Sequence, residues 1–108
     1  MKVIQILRGE EPQIKEIADS LAALQSEVGG YIECVTPFND DVAIIVNEEG
    51  KLNGWPPNRF LVYKKANYVE VLCGPILIVG LGEEDFTDIP EDVVTKYSAM
   101  FKPDIVYI

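Results

Sequence analysis

Between Gly50 and Val69 the chain carries Lys51, Arg59, Lys64 and Lys65 and no acidic residue. The rest of the sequence holds all eighteen acids and only five bases. A basic island on an acidic body concentrates field lines and draws an anion to one place, where a uniformly acidic surface would repel it everywhere. The same stretch contains the rings of Trp55, Phe60 and Tyr63 and the amides of Asn53, Asn58 and Asn67. These residue types supply stacking surfaces and directional hydrogen bonds. The ligand site expected from them is Asn53, Trp55, Asn58, Arg59, Tyr63, Lys64 and Lys65. Trp55 would stack on a base or ring, Arg59 with Lys64 or Lys65 would hold a phosphate, and Asn53 and Asn58 would read polar edges. Pro56 and Pro57 would stiffen the loop and reduce the entropy lost on binding. The same residues also admit a structural reading: Trp55 as a lid on the core, the two prolines as a rigid turn, Arg59 paired with an acid.

Magnitudes limit what one such site achieves. A stacked ring contributes about 1–3 kcal/mol, and two charge-assisted hydrogen bonds about 1.5–3 kcal/mol each. Before ordering costs this corresponds to roughly micromolar affinity. Tighter capture would require two loops on one ligand, so a homo-oligomer is expected. On this reading Arg59→Ala and Trp55→Ala abolish ligand retention and leave the fold intact.

Catalysis finds little support in the residue inventory. The chain has no histidine, which removes Ser-His and Cys-His nucleophile systems, histidine zinc sites and the usual neutral-pH general base. The carboxylate groups Asp40-Asp41, Glu48-Glu49 and Glu83-Glu84-Asp85 lack the spacing of a calcium loop and read as solvated turns. Gly80-Leu81-Gly82 lacks the third glycine and the following helix of a dinucleotide fingerprint. Cys34 and Cys73 each fall in a β-like segment and are expected to be buried free thiols. A non-catalytic protein without cofactor or metal is expected.

The elements that would position the island follow from periodicity. A chain of 108 residues with 48% apolar composition fits one domain spanning 1–108. Residues 2–8 alternate as a first strand. Pro12 then opens a helix whose apolar face is Ile14, Ile17, Leu21, Leu24 and Val28, closed by Gly29-Gly30. Tyr31–Thr36 and Val42–Val46 form a hairpin around Pro37–Asp41. Leu52–Arg59 is irregular, Phe60–Tyr63 a short strand, and Tyr68–Cys73 and Pro75–Leu81 stronger strands, with Ile76–Val79 central in the sheet. Asp88 and Glu91 mark the start of a second helix with Val93, Val94, Tyr97, Met100 and Phe101 inward, ended by Pro103. Asp104–Ile108 forms an apolar tail that must dock, on its own sheet or on a neighbouring subunit. The fold class is α+β, one mostly antiparallel sheet covered by two helices. No run approaches the about eighteen apolar residues of a membrane span, and Met1–Leu7 is too short for a signal peptide, so a cytoplasmic protein is expected. The formal charge of −9 disfavours duplex nucleic acid.

Val28-Gly29-Gly30-Tyr31-Ile32-Glu33, Asn47-Glu48-Glu49-Gly50-Lys51-Leu52, Pro56-Pro57-Asn58-Arg59 and Gly74–Gly80 together resemble the domain of unknown function 3846 family. The resemblance covers roughly residues 28–101 and implies a small protein of the kind met in phages, plasmids and Gram-positive bacteria. No activity comes with it, and Trp55 stands where a smaller aliphatic residue is expected. The implied setting favours host takeover or counter-defence, in the host cytoplasm if the protein is phage-encoded. Two readings follow. The first is a binding protein that sequesters a small anionic, nucleotide-type immune signal. The alternative is an acidic inhibitor, a possible DNA mimic, that engages a basic host protein through Glu83, Glu84, Asp85, Asp88, Glu91 and Asp92.

Overall fold

A computed structural model describes residues 1–108. The strands are β1 (Lys2–Ile6), β2 (Gln13–Glu16), β3 (Ile32–Val35), β4 (Val42–Asn47), β5 (Pro57–Tyr63), β6 (Tyr68–Cys73), β7 (Ile76–Leu81), β8 (Phe86–Thr87) and β9 (Ile105–Tyr107). Helix α1 (Leu21–Val28) lies between β2 and β3, and a 3-10 turn (Glu91–Val93) leads into α2 (Val94–Met100). The fold is α+β with two α-helices and mostly antiparallel strands. The strands divide between two sheets. One has the order β2-β1-β7-β4-β3 with β8 on β7, and the other the order β6-β5-β9.

Period-two burial explains the layering. Along β1, β4 and β7, Val3, Ala43, Ile45, Leu77 and Val79 face one way and meet Leu24 and Val28 of α1. Ile4, Ile6, Val42, Ile44, Val46, Ile76 and Ile78 face the other way, where Leu61, Leu72 and Val106 of the small sheet meet them with Tyr97 and Phe101. The large sheet is therefore covered on both faces, which is why β4 and β7 read as unbroken apolar runs. No helix of the structure is long and apolar enough to cross a membrane.

Several expectations need correction. Gln13–Glu16 is a strand, antiparallel to β1 with Ile14 opposite Ile4. Gly9, at φ 73°, permits the return, and pairing along β1 decides against the helical spacing of Ile14 and Ile17. Helix α1 starts later, at a cap where the Ser20 hydroxyl accepts from the Ala23 N–H at 3.1 Å. Gly29, at φ 80°, ends it as expected. β5 begins at Pro57, inside the stretch expected to be irregular. β6 and β7 belong to different sheets, and β7 is central, between β1 and β4. Asp88 does not cap the second helix, because its carboxylate accepts from the Lys2 N–H at 2.8 Å. The tail docks within its own chain, with β9 parallel to β5 and Val106 beside Leu61.

The crossing between sheets is tight. Gly74 sits at φ 81°, and a Cβ there would lie 2.5 Å from Cε3 of Trp55. Strain and overlap act together, so Gly74→Ala is expected to cost about 1–3 kcal/mol in urea denaturation. The overlap part should disappear in a Trp55→Ala background, giving a non-additive double-mutant cycle.

Candidate functional site

Between Pro57 and Arg59 the register of β5 against β6 shifts, so Asn58 forms a bulge. A bulge inserts one residue and breaks the alternation of faces. Asn58 and Arg59 consequently both turn inward and are both buried. The Asn58 amide donates to the carbonyls of Ile6 at 2.9 Å and Gly74 at 2.8 Å. Its oxygen accepts from Arg59 Nη1 at 2.8 Å. Arg59, only 1% exposed, donates through Nε to the Phe101 carbonyl at 2.8 Å, and through Nη2 to that of Glu10 at 3.1 Å. Nη1 also reaches the Asn58 carbonyl at 3.0 Å. The Asp104 carboxylate lies 3.7 Å from Nη1. Burial lowers the Arg59 pKa and Asp104 opposes that shift, yet an arginine starts high enough to stay charged. The expectation that these two side chains hold a ligand is corrected: their donors are committed to the backbone of four other segments.

Trp55 is half-buried. Its ring lies over two glycines, so that a Cβ would meet it at 3.2 Å from Gly29 and 2.5 Å from Gly74. One aromatic face therefore packs on the end of α1 and the turn into β7, as a lid. Asn53 is exposed in the turn before it, where its N–H donates to the Glu49 carbonyl at 2.8 Å.

The remaining members gather at the other end of the β5–β6 hairpin. Six residue steps along β5, about 20 Å, separate this end from the turn that holds Asn53, Trp55 and Lys51. Lys64 and Lys65 are exposed in the turn, where Asn67 adopts φ 49°. Tyr63 and Tyr68 pair across the strands with centroids 5.7 Å apart, and the Tyr63 hydroxyl donates to Glu70 at 3.2 Å. Burial, then the Glu70 charge, pushes the Tyr63 pKa up to about 12, so this phenol stays protonated at neutral pH. Lys64 Nζ stands 5.7 Å from the ring centre of Tyr107. The seven expected residues are thus split into a tip group of Tyr63, Lys64 and Lys65, a buried joint of Asn58 and Arg59, and a far turn of Asn53 and Trp55. Tyr68 and Tyr107 join the tip group. Tyr68 stands three residues after Lys65 in the sequence, whereas Tyr107 reaches the tip only because β9 docks on β5.

The sequence model of Domain of unknown function (DUF3846) matches residues 1–102. The chain belongs to that family. The match takes in β1, β2 and α1 as well as the segment whose motifs carried the resemblance. No curated protein and no solved structure matches the chain. In this DUF3846 member the four motifs converge on one joint. Gly29 lies under Trp55, and a Cβ on Gly30 would come within 2.9 Å of Asn47 Nδ2. Asn47 donates to the Val28 carbonyl at 3.1 Å, Gly50 abuts the Cys73 carbonyl, and Asn58 holds Gly74. The motif residues therefore build the packing between helix, bulge and sheet crossing. Asn47 has no place among the expected site residues, because its role is to close the end of α1.

The carboxylates divide as well. Asp40 accepts from Lys96 at 2.7 Å and from the Tyr97 hydroxyl at 2.6 Å. The Lys96 bond first, then Tyr97, lowers the Asp40 pKa, while burial and then Asp40 raise that of Tyr97. Glu83, Glu84 and Asp85 are exposed in the β7–β8 turn, which also contains Gly82. No three acidic or cysteine side chains converge as metal ligands. Both cysteines are free, but Cys34 is exposed on β3 and only Cys73 is buried, which corrects the expected buried pair.

Arg59→Ala is expected to destabilise by about 3–5 kcal/mol in chemical denaturation, because several buried carbonyls lose their donor together. Arg59→Lys should recover little, since one ammonium cannot span the Phe101 and Glu10 carbonyls. For Asp40 the folded pKa lies below the ordinary 3.8, so its contribution is complete above that value and fades as pH falls through the folded pKa. The melting temperatures of wild type and Asp40→Asn should differ by a constant amount near neutrality and converge in an acid series below pH 3.8.

Proposed function

We propose that this DUF3846 member is a non-catalytic binding protein that takes up a small anionic ligand of the nucleotide type at the tip of the β5–β6 hairpin. One observation carries the reading. Lys64 and Lys65 are exposed and make no salt bridge, on a protein of charge −9 whose other lysines, except Lys51, pair with acids. Tyr68 is exposed in the same turn region and is backed by Tyr63. Its ring offers a stacking surface, while the two ammonium groups offer charge-assisted hydrogen bonds to phosphate. The site differs from the one expected in sequence by omitting Trp55, Asn58 and Arg59, which are engaged in the joint, and Asn53, which lies in the far turn, and by adding Tyr68.

A site of one ring and two lysines supports about micromolar affinity. In the phage or plasmid setting that the family resemblance implies, such a protein would withdraw a nucleotide signal from a host defence system. The role is sequestration without turnover, in the host cytoplasm.

A second reading rests on the Glu83-Glu84-Asp85 turn, three exposed carboxylates outside any ion pair, whereas Asp88 and Glu91 are engaged by Lys2. There the partner is a basic host protein, and binding weakens with salt.

Calorimetry with linear and cyclic nucleotides separates the two. The first reading expects saturable micromolar binding that weakens about tenfold or more in Lys64→Ala/Lys65→Ala and in Tyr68→Ala, with Trp55→Ala unaffected. No heat with any nucleotide, or binding unchanged in all three tip substitutions, overturns it. Retention of a basic host protein that is lost on charge reversal at Glu83, Glu84 and Asp85 supports the second.

A further inference from the structure

The first acid after the basic stretch is Glu70, and it stands beside the tip group of Tyr63, Lys64, Lys65 and Tyr68. Alternate residues of a strand share a face, so along β6 Glu70 follows Tyr68 on the side that leads down to the buried Leu72. The register sets Leu61 opposite Glu70 and Tyr63 opposite Tyr68. Tyr63 is therefore the diagonal neighbour of Glu70, within reach of a long side chain. Its hydroxyl donates to Glu70 Oε1 at 3.2 Å, and burial, then the Glu70 charge, pushes the phenol pKa up to about 12, so the donor keeps its proton at neutral pH. The carboxylate is thereby held in one orientation. It forms no ion pair, although Lys64 and Lys65 are close in sequence. Its other oxygen, Oε2, accepts from no group of the chain. Since no buried side-chain polar atom lacks a partner, that oxygen is open to solvent.

From the turn downward the hairpin thus presents two free ammonium groups, an exposed ring and a fixed carboxylate. The lysines attract phosphate and the ring accepts a stacked base. The carboxylate repels phosphate, so it must meet the part of a nucleotide that donates hydrogen bonds, which is the edge of the base. An ionised carboxylate is an acceptor only, with two oxygens side by side, and Oε1 keeps a second lone pair beside the one given to Tyr63. The matching partner has two adjacent N–H donors. Among the common bases guanine has this pair, N1–H and the N2 amine, on its Watson–Crick edge. Adenine sets its amine beside the acceptor N1, cytosine sets its amine beside the acceptor N3, and uracil holds its single N–H between two carbonyls. Each of these turns a lone pair toward the carboxylate.

We infer that the nucleotide taken up at the hairpin tip is a guanine nucleotide, stacked on Tyr68 with Glu70 accepting from its N1–H and N2 amine. The guanine assignment depends on the nucleotide reading of the tip given above, and adds the base and the residue that selects it. Two residues along a strand span about 7 Å, which matches half the width of a purine plus one hydrogen bond. The negative charge at this end also fixes the direction of the ligand, with its phosphate toward the lysine turn.

Calorimetry on the full chain with GMP, IMP and AMP tests the assignment. GMP is expected to bind tightest. IMP keeps N1–H but lacks the N2 amine and is expected to bind about fivefold more weakly, and AMP about tenfold or more, because a site shaped for two donors loses one or both of them. This comparison on wild type needs no variant to fold. Glu70→Gln replaces two acceptors by one acceptor and one donor, the complement of adenine, and is expected to weaken GMP about tenfold and to bring AMP level with it or above. A purely structural role for Glu70 would change the three nucleotides alike. No heat with any nucleotide overturns the tip reading and the guanine assignment together. Equal affinity for all three in wild type, or a folded Glu70→Gln protein that keeps the wild-type order, overturns the guanine assignment alone and leaves the tip reading standing.

Discussion

A positive charge fixed inside the protein, among backbone carbonyls, is the constraint around which the two sheets are joined. The Arg59 guanidinium offers five donors in a rigid plane, and the structure distributes them to the loop after β1, the end of α2 and the bulge. Asn58, its neighbour on the bulge, extends the same network to the end of β1 and the sheet crossing. No buried side-chain polar atom of the protein lacks a partner. The joint is therefore satisfied as a unit, the condition under which a buried polar network specifies one arrangement of segments. Removing one member leaves the others unsatisfied in a low-dielectric interior.

The glycines and Trp55 complete the joint by shape. A broad ring lies against backbone at Gly29 and Gly74, where a side chain would occupy the ring's place. Asn47 closes the helix end from the adjacent strand. The effect is a rigid block at one end of the β5–β6 hairpin. The hairpin's other end carries no such network, and it is there that exposed lysines and tyrosine rings remain free to meet other molecules. Tyr63 and Tyr68 stand on the strand ends, and Lys64 and Lys65 lie in the short turn that joins them.

Separation into two sheets also decides which surfaces are available. The six-stranded sheet is covered on both faces, by α1 on one and by the small sheet with α2 on the other. The small sheet is an outer layer with one face inside and one outside. Because β9 docks parallel to β5 through Val106, the alternation of the strand turns Ile105 and Tyr107 outward. The apolar tail thus solves one burial problem within the chain and leaves a smaller one on its surface.

Local pattern made the α+β class legible, because β4, β7 and the end of α1 carry their signals in consecutive residues: an unbroken apolar run, alternation, and Gly29 after a periodic face. The acid-free basic stretch was equally plain, since composition does not depend on conformation. What the sequence could not decide is which of those residues share a surface. Residues 13–16 fit a helical period as well as a strand, and only pairing with β1 settled the choice. One extra residue at Asn58 turned two adjacent polar side chains inward, and no propensity encodes where a bulge will fall against its partner strand. Charge and residue type were thus determined along the chain, whereas the commitment of Arg59 to the interior, and the freedom of Lys64 and Lys65 outside it, depended on register and packing between segments distant in sequence.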